Sequence, residues 1–525
     1  SADHKTVTPG PVYPTEQDRT AFVTSITGEH LTDKEYRKAG VLSNTVDNNI
    51  YNFTKDATTI TTAGSAVTTA KDTTLQLNKH DMTITANSGD GIATTGGTLT
   101  VKDAGSLTVN GAKAINANNS KVDITAVNAE LNGDVSTNSA VSIKATKAAK
   151  VNGAVSADGA NSSVSINGGE AATITGAVSA NGANAAVSIN GTDSVAIAGA
   201  VKADGANAVV TIDSANTTIG SDITANGKDA KVTAKNLSKL DGNVTTDADS
   251  SVELTFKESA AWSGDNAGNT TMSLSKGSWN GANTGKLNAT LTNGTAWTGD
   301  SSGAGSTIKL DASTWNGANS GDNTTITAGN GTSWNKGNNG ANANITLNAS
   351  NWTGENTADG VTVKADKATW TGANSGANAN ITLSNASTWN GANSGANATI
   401  NLTDSSWKGD NSGAGVTITA DNSKWNGSTN TAGSATLTNG SIWNGASTSA
   451  DFSLTLNGST WNNSGASSLK SFNATNGIVD MTNAAASVTI GSYSGDATVI
   501  YKHNSSDPGE VYGGNFTVNK AAANS

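Results

Sequence analysis

The sequence predicts an all-β solenoid, and three observations carry that prediction. First, the twelve tryptophans stand in one register, Trp262, Trp279, Trp297, Trp315, Trp334, Trp352, Trp370, Trp389, Trp407, Trp425, Trp443 and Trp461, at a near-constant interval. A unit that short is no domain and carries no helical period, so each turn of chain must bury its apolar residues against the turns above and below. Second, apolar residues alternate with period two ahead of the indoles, as in Ile345/Leu347 before Trp352, Ile381/Leu383 before Trp389 and Ile400/Leu402 before Trp407; period two is the strand signal. Third, the prolines are Pro9, Pro11, Pro14 and Pro508, leaving 15–507 without one. A strand paired on both sides cannot give up a ladder donor. Roughly twenty rungs at the ~4.8 Å spacing of adjacent strands make a rod on the order of 95 Å long, closed by N- and C-terminal caps.

Composition fits one elongated domain, because a stack that grows along one axis escapes the size limit of a single globular core. Only 14% of the 525 residues are charged and 35% are hydrophobic. Small polar residues in such number would suit a disordered tract, but fixed apolar spacing argues against disorder. The formal charge of −11, with Arg19 and Arg37 the only arginines, excludes nucleic acid and disfavours anionic membranes as partners. With no cysteine, disulfides and thiolate metal sites are excluded. No apolar run approaches the roughly 20 residues of a membrane span, so no membrane insertion of this segment is expected, and no signal peptide opens the chain.

Residues 1–55 hold both arginines, three of the four prolines and a denser charge, and read as a leader or cap. Thr32-Asp33-Lys34-Glu35 matches a capping box, with Gly40 placed to stop a short helix. Such an element would cover a strand edge otherwise ready to pair with another chain. Over 56–250 the repeat period is about 22 residues, marked by Val135, Val155, Val178, Val201, Ile223 and Val244. One unit reads as three short strands, around Val155, Val164-Ser165-Ile166 and Ala172-Thr173-Ile174, with Asp158-Gly159-Ala160-Asn161 at a corner. Earlier rungs keep the beat through Leu75/Leu77, Leu99/Val101 and Val122/Ile124. Over 251–470 the tryptophan rungs take over, with a shorter repeat of about 18 residues. Glycine lies two residues after the indole in ten of twelve rungs, Lys336 and Asn463 being the exceptions, and asparagine four residues after it in eight, which marks a repeated turn. An indole filling the volume of two or three aliphatic side chains lets a shorter loop close around a packed interior.

From 471 to 525 the repeat gives way to Ile478-Val479-Asp480-Met481, Ser487-Val488-Thr489-Ile490, Gly491-Ser492-Tyr493-Ser494-Gly495, Thr498-Val499-Ile500-Tyr501-Lys502-His503 and a tail, Val511 to Val518. This resembles the C-terminal part of a bacterial type V autotransporter passenger, where such a region caps the β-helix and assists folding. The S/T-x-W-x-G units, as in Ser313-Thr314-Trp315-Asn316-Gly317, resemble those of large autotransporter adhesins. The likeness covers about 250–525, and the upstream rungs by architecture only; residues 1–55 match no part of the family. The resemblance implies a right-handed parallel β-helix displayed on the bacterial outer membrane or secreted. It also implies a β-barrel translocator C-terminal to this segment, which reads as an excised passenger.

The tryptophan ladder could offer aromatic platforms to sugar rings, but parity with small residues such as Ser387 assigns it to the core. Thr346, Thr362, Thr382, Thr417 and Thr455 are expected to point outward between the aliphatic pairs, as the candidate adhesive surface. One such threonine per rung is too sparse for an ice-binding grid. An enzyme would need acidic pairs with a basic partner in a cleft, and the scattered Asp and Glu, with His4, His30, His80 and His503 far apart, give none. Asp90-Gly91 and Asp204-Gly205 do not recur at calcium-ligand spacing, and no cofactor is implied. The expected role is attachment to a host or matrix ligand, protein or glycan, or association with another copy of the chain in aggregates and biofilm. The alternative is a glycan-binding or polysaccharide-active β-helix.

Overall fold

The computed structural model describes residues 49–61, 64–503, 506–507, 511–512 and 514–523. The capping box at Thr32–Glu35, Gly40 and most of the expected leader lie outside the described residues. The fold is an all-β parallel solenoid of about 22 turns, with no helix among the described residues. Its residues cluster into two compact units, one ending at Trp279 and the other beginning at Asn280.

In the first unit the rungs that begin at Val155, Val178 and Val201 show three strands to a turn, while earlier rungs such as Thr98–Ala117 and Lys121–Thr137 run as one long strand. Val155–Ala157, Ser163–Gly168 and Ala171–Ile174 pair in parallel with Val178–Ala180, Ala186–Asn190 and Ser194–Ile197. Identical types fall opposite one another, Val164 on Val187 and Ile166 on Ile189, and all of these side chains are buried. Register is pinned because a one-residue slip would turn the Val/Ile set to solvent and Ser165 inward. The first rungs are longer than the spacing of their leucines suggests. Leu75 aligns with Val101 rather than Leu99, which lengthens that rung, while Leu99 aligns with Val122. At the corner, Asn161, Asn184, Asn207 and Asp229 all take left-handed φ between 55° and 59°. Their side chains link successive rungs, Asn184 Nδ2 donating to Asn161 Oδ1 at 3.1 Å and Asn207 Nδ2 to Asn184 Oδ1 at 3.0 Å.

In the second unit a rung shrinks to a five-residue strand, a three-residue strand centred on tryptophan, and a single bridging residue. Thr307–Asp311 and Thr314–Asn316 exemplify the first two, and Asn319 is the third. From Trp297 to Trp461 the ten indoles stack with centroids 4.6 to 5.1 Å apart and planes within 9° of parallel. Such spacing lies in the favourable range for stacked rings. In the first unit Trp262 and Trp279 stack likewise at 4.5 Å.

The W-x-G pattern has a direct cause. From Trp279 onward each indole Nε1–H donates to the carbonyl of the residue two positions after the tryptophan of the preceding rung, as Trp315 to Gly299 at 2.9 Å and Trp370 to Gly354 at 2.9 Å. A buried indole donor needs such a partner. The glycines themselves stack with backbone nearly touching, so that a Cβ on Gly391 would lie 1.9 Å from the Gly372 oxygen. Lys336 replaces glycine in one rung, yet its carbonyl still accepts from Trp352 at 2.8 Å.

The asparagine four residues after tryptophan is not a turn residue. Asn319, Asn338, Asn356, Asn374, Asn393 and Asn411 are buried in a single column. Each Nδ2 up to Asn393 donates to the next asparagine's Oδ1 at 2.6 to 2.8 Å, and Asn411 Nδ2 to Thr429 Oγ1 at 3.1 Å. Each Nδ2 also donates to the carbonyl two residues on, for example Asn374 to Gly376 at 3.1 Å. Though the sequence repeat fades near residue 471, parallel pairing continues: Ala466–Asp480 pairs with Ser487–Ile500, and that strand with Phe516–Ala521.

Candidate functional site

The outer side of the five-residue strands is a continuous polar face of the second unit. Inward positions hold apolar residues such as Ile308/Leu310, Ile345/Leu347 and Ile381/Leu383, all buried. Alternation therefore turns three positions of every strand outward. Parallel in-register pairing stacks these into three columns.

The five threonines proposed from sequence occupy this face but divide between two columns. Thr346, Thr382 and Thr455 belong to the middle column, which runs Lys309, Thr327, Thr346, Lys364, Thr382, Asn401. Thr455 joins it further on through Thr419 and Thr436. Thr362 and Thr417 belong to the neighbouring column, opposite Asn344 and Thr399 respectively. The cause is a two-residue offset along the strand: Thr362 is equivalent to Asn344, and the residue equivalent to Thr346 is Lys364. Thr417 is exposed and the other four are half-buried by their neighbours in the ladder.

A third column, Asp311, Gly329, Asn348, Asp366 and Ser384, borders the turn into the tryptophan strand. Here Asp311 accepts from Asn330 Nδ2 at 2.5 Å, Asp366 from Asn385 at 2.8 Å and Asp421 from Asn439 at 2.5 Å. These cross-rung bonds order the edge of the face. Round the corner, outward asparagines continue the pattern, with Asn335 Nδ2 on Asn316 Oδ1 at 2.8 Å and Asn444 on Asn426 at 2.5 Å.

All twelve tryptophans are buried, so no indole presents a face on which a sugar ring could stack. Among the described residues no three His, Asp or Glu side chains gather in a way that could hold a metal ion. The grooves are shallow and straddle corners, one being lined by Ala318, Lys336, Gly337, Asn339, Glu355 and Thr357. Lys336 there lies 3.8 Å from Asp300, both well exposed, a contact of little energetic weight. Compared with known proteins, the chain matches no family model, no curated sequence and no solved structure.

Proposed function

We propose that this chain is the passenger of a bacterial surface adhesin, acting through the outer face of its five-residue strands. The observation that carries this reading is the face itself: ladders of threonine, asparagine and serine, ordered by the backbone beneath them and repeated rung after rung. Each hydroxyl or amide offers a weak contact, on the order of 1 kcal/mol at best. Many such contacts on a rigid support add with little loss of side-chain entropy, which is how avidity arises from weak sites. The S/T-x-W-x-G resemblance supports export through a C-terminal β-barrel and display at the bacterial surface.

The test is to display the chain on cells that lack adhesins of their own and follow settling and surface attachment, with a glycan array run on the purified protein. Thr346→Glu, Thr382→Glu and Thr455→Glu together place three carboxylates in the middle column without touching the core. Settling or attachment is expected to fall about tenfold, since like charges and lost hydrogen bonds act on every copy. Unchanged clumping and attachment would remove this face from the reading, and one sharp glycan hit would favour the glycan-binding alternative.

A further inference from the structure

Two rungs of the outer face, three apart, each carry a lysine and an aspartate. Lys309 and Asp311 share one strand, and Lys364 and Asp366 share the strand three rungs on. The intervening positions hold Thr327 and Gly329, then Thr346 and Asn348. Both charged positions repeat at one common interval, from Lys309 to Lys364 and from Asp311 to Asp366, and Asp421 continues the third column at that interval. Asp300, Glu355 and Asp410, each three residues after a tryptophan, keep the same beat. At the usual strand spacing, three rungs correspond to about 14 Å. The two lysines are exposed, and among the described residues neither makes an ion pair within the chain. Asp311 and Asp366 each use Oδ1 to accept an asparagine amide, which leaves a carboxylate able to take a further donor.

We propose that Lys309/Asp311 and Lys364/Asp366 fix the register in which a second copy of this chain pairs side by side, both copies running in the same direction. The proposal rests on the adhesive reading of this face and specifies its partner. A two-fold axis parallel to the rung axis brings the middle column of one copy opposite the third column of the other. Lys309 then faces the second copy's Asp311, Lys364 its Asp366, and the reciprocal pairs form by symmetry. Between them Thr346 meets Asn348, a donor–acceptor match. The opposite orientation, about an axis along the strands, keeps each column on itself. Centred between the charged rungs, it sets Lys309 against Lys364 and Asp311 against Asp366, which repel. Slipping the parallel pair by one or two rungs leaves each charge opposite an uncharged residue, for example Lys309 opposite Gly329 or Asn348 and Lys364 opposite Ser384. A polyanion or polycation is a poor match, because the face alternates in sign instead of presenting one stripe.

A charge exchange tests this. The variant Lys309→Asp, Lys364→Asp sets acid against acid, and Asp311→Lys, Asp366→Lys sets base against base. All four positions lie at the surface, and circular dichroism and tryptophan fluorescence report whether the solenoid is intact. Sedimentation at low ionic strength should show the unaltered chain forming dimers. Each variant alone should dissociate about tenfold more readily, and the equimolar mixture should recover the original affinity to within about threefold. A mixture no tighter than either variant alone overturns the register, as does a monomeric parent chain. Displayed cells separate the two failures: clumping by the parent chain with no recovery on mixing leaves the adhesive reading standing. Cells that neither clump nor attach remove both.

Discussion

At the scale of the residue, the interior of the second unit is governed by donors and acceptors as much as by area. A buried amide without a partner costs about 1–3 kcal/mol, so one asparagine inside a solenoid is a liability and a stack of them is not. The ladder shows where that logic stops. Asn319 Oδ1 is buried without a hydrogen bond, because the preceding bridge residue is Ser301. Asn283 Nδ2 already donates to Ser301 Oγ at 3.0 Å, so an asparagine at 301 could keep that bond through its carbonyl and supply the missing donor to Asn319. Ser301→Asn is therefore expected to stabilise the chain by about 1 kcal/mol. Chemical denaturation followed by tryptophan fluorescence would show the midpoint moving up; a midpoint that falls means the column cannot admit the larger side chain.

At the scale of the element, the strand–turn unit S/T-x-W-x-G is a joint in which indole, glycine and the carbonyl below are fixed together. Gly391→Ala drives a Cβ against the Gly372 oxygen, the atom that also accepts from Trp389 Nε1 at 2.8 Å. Opening that contact should cost about 3 kcal/mol through overpacking. Gly440→Ala is the control. Its φ is 79° and nothing lies within 4 Å of the new methyl, so only the left-handed backbone is penalised, by about 1–2 kcal/mol. Equal losses for the two substitutions in thermal melts would remove close backbone approach as the reason for the glycine column. Much of this element was legible in the sequence, since an indole at a near-constant interval and a period-two aliphatic pair each allow one arrangement. Two features were not. The asparagine four residues after tryptophan carries the composition of a turn and the burial of a core residue, and only the parallel register of its neighbours tells these apart. The outward threonines read as a single column because sequence spacing hides the two-residue offset that puts Thr362 beside Asn344 and Lys364 beside Thr346.

At the scale of the molecule, a solenoid can lose a rung without losing its fold, because each turn rests on its neighbours alone. Excising 328–346 and joining Thr327 to Leu347 removes one turn in register, since Ala328 and Leu347 occupy equivalent positions. Trp352 then lies above Trp315, and the Trp315 side of the ladder stays closed. Lys309/Asp311 and Lys364/Asp366 are thereby brought two rungs apart instead of three. The shortened chain still presents a self-complementary pattern, so it should pair with itself as tightly as the parent does, to within about threefold. Against the parent chain its charged rungs no longer coincide. Aligning Lys309/Asp311 leaves the shortened chain's Lys364 opposite Asn348 and its Asp366 opposite Thr346, and the mixed pair should be about tenfold weaker. Two populations of cells, each displaying one length and carrying its own fluorescent label, would sort into separate clusters under these rules. Random mixing would show that length and charge spacing do not govern recognition on this face, leaving the uncharged ladders alone as its adhesive component.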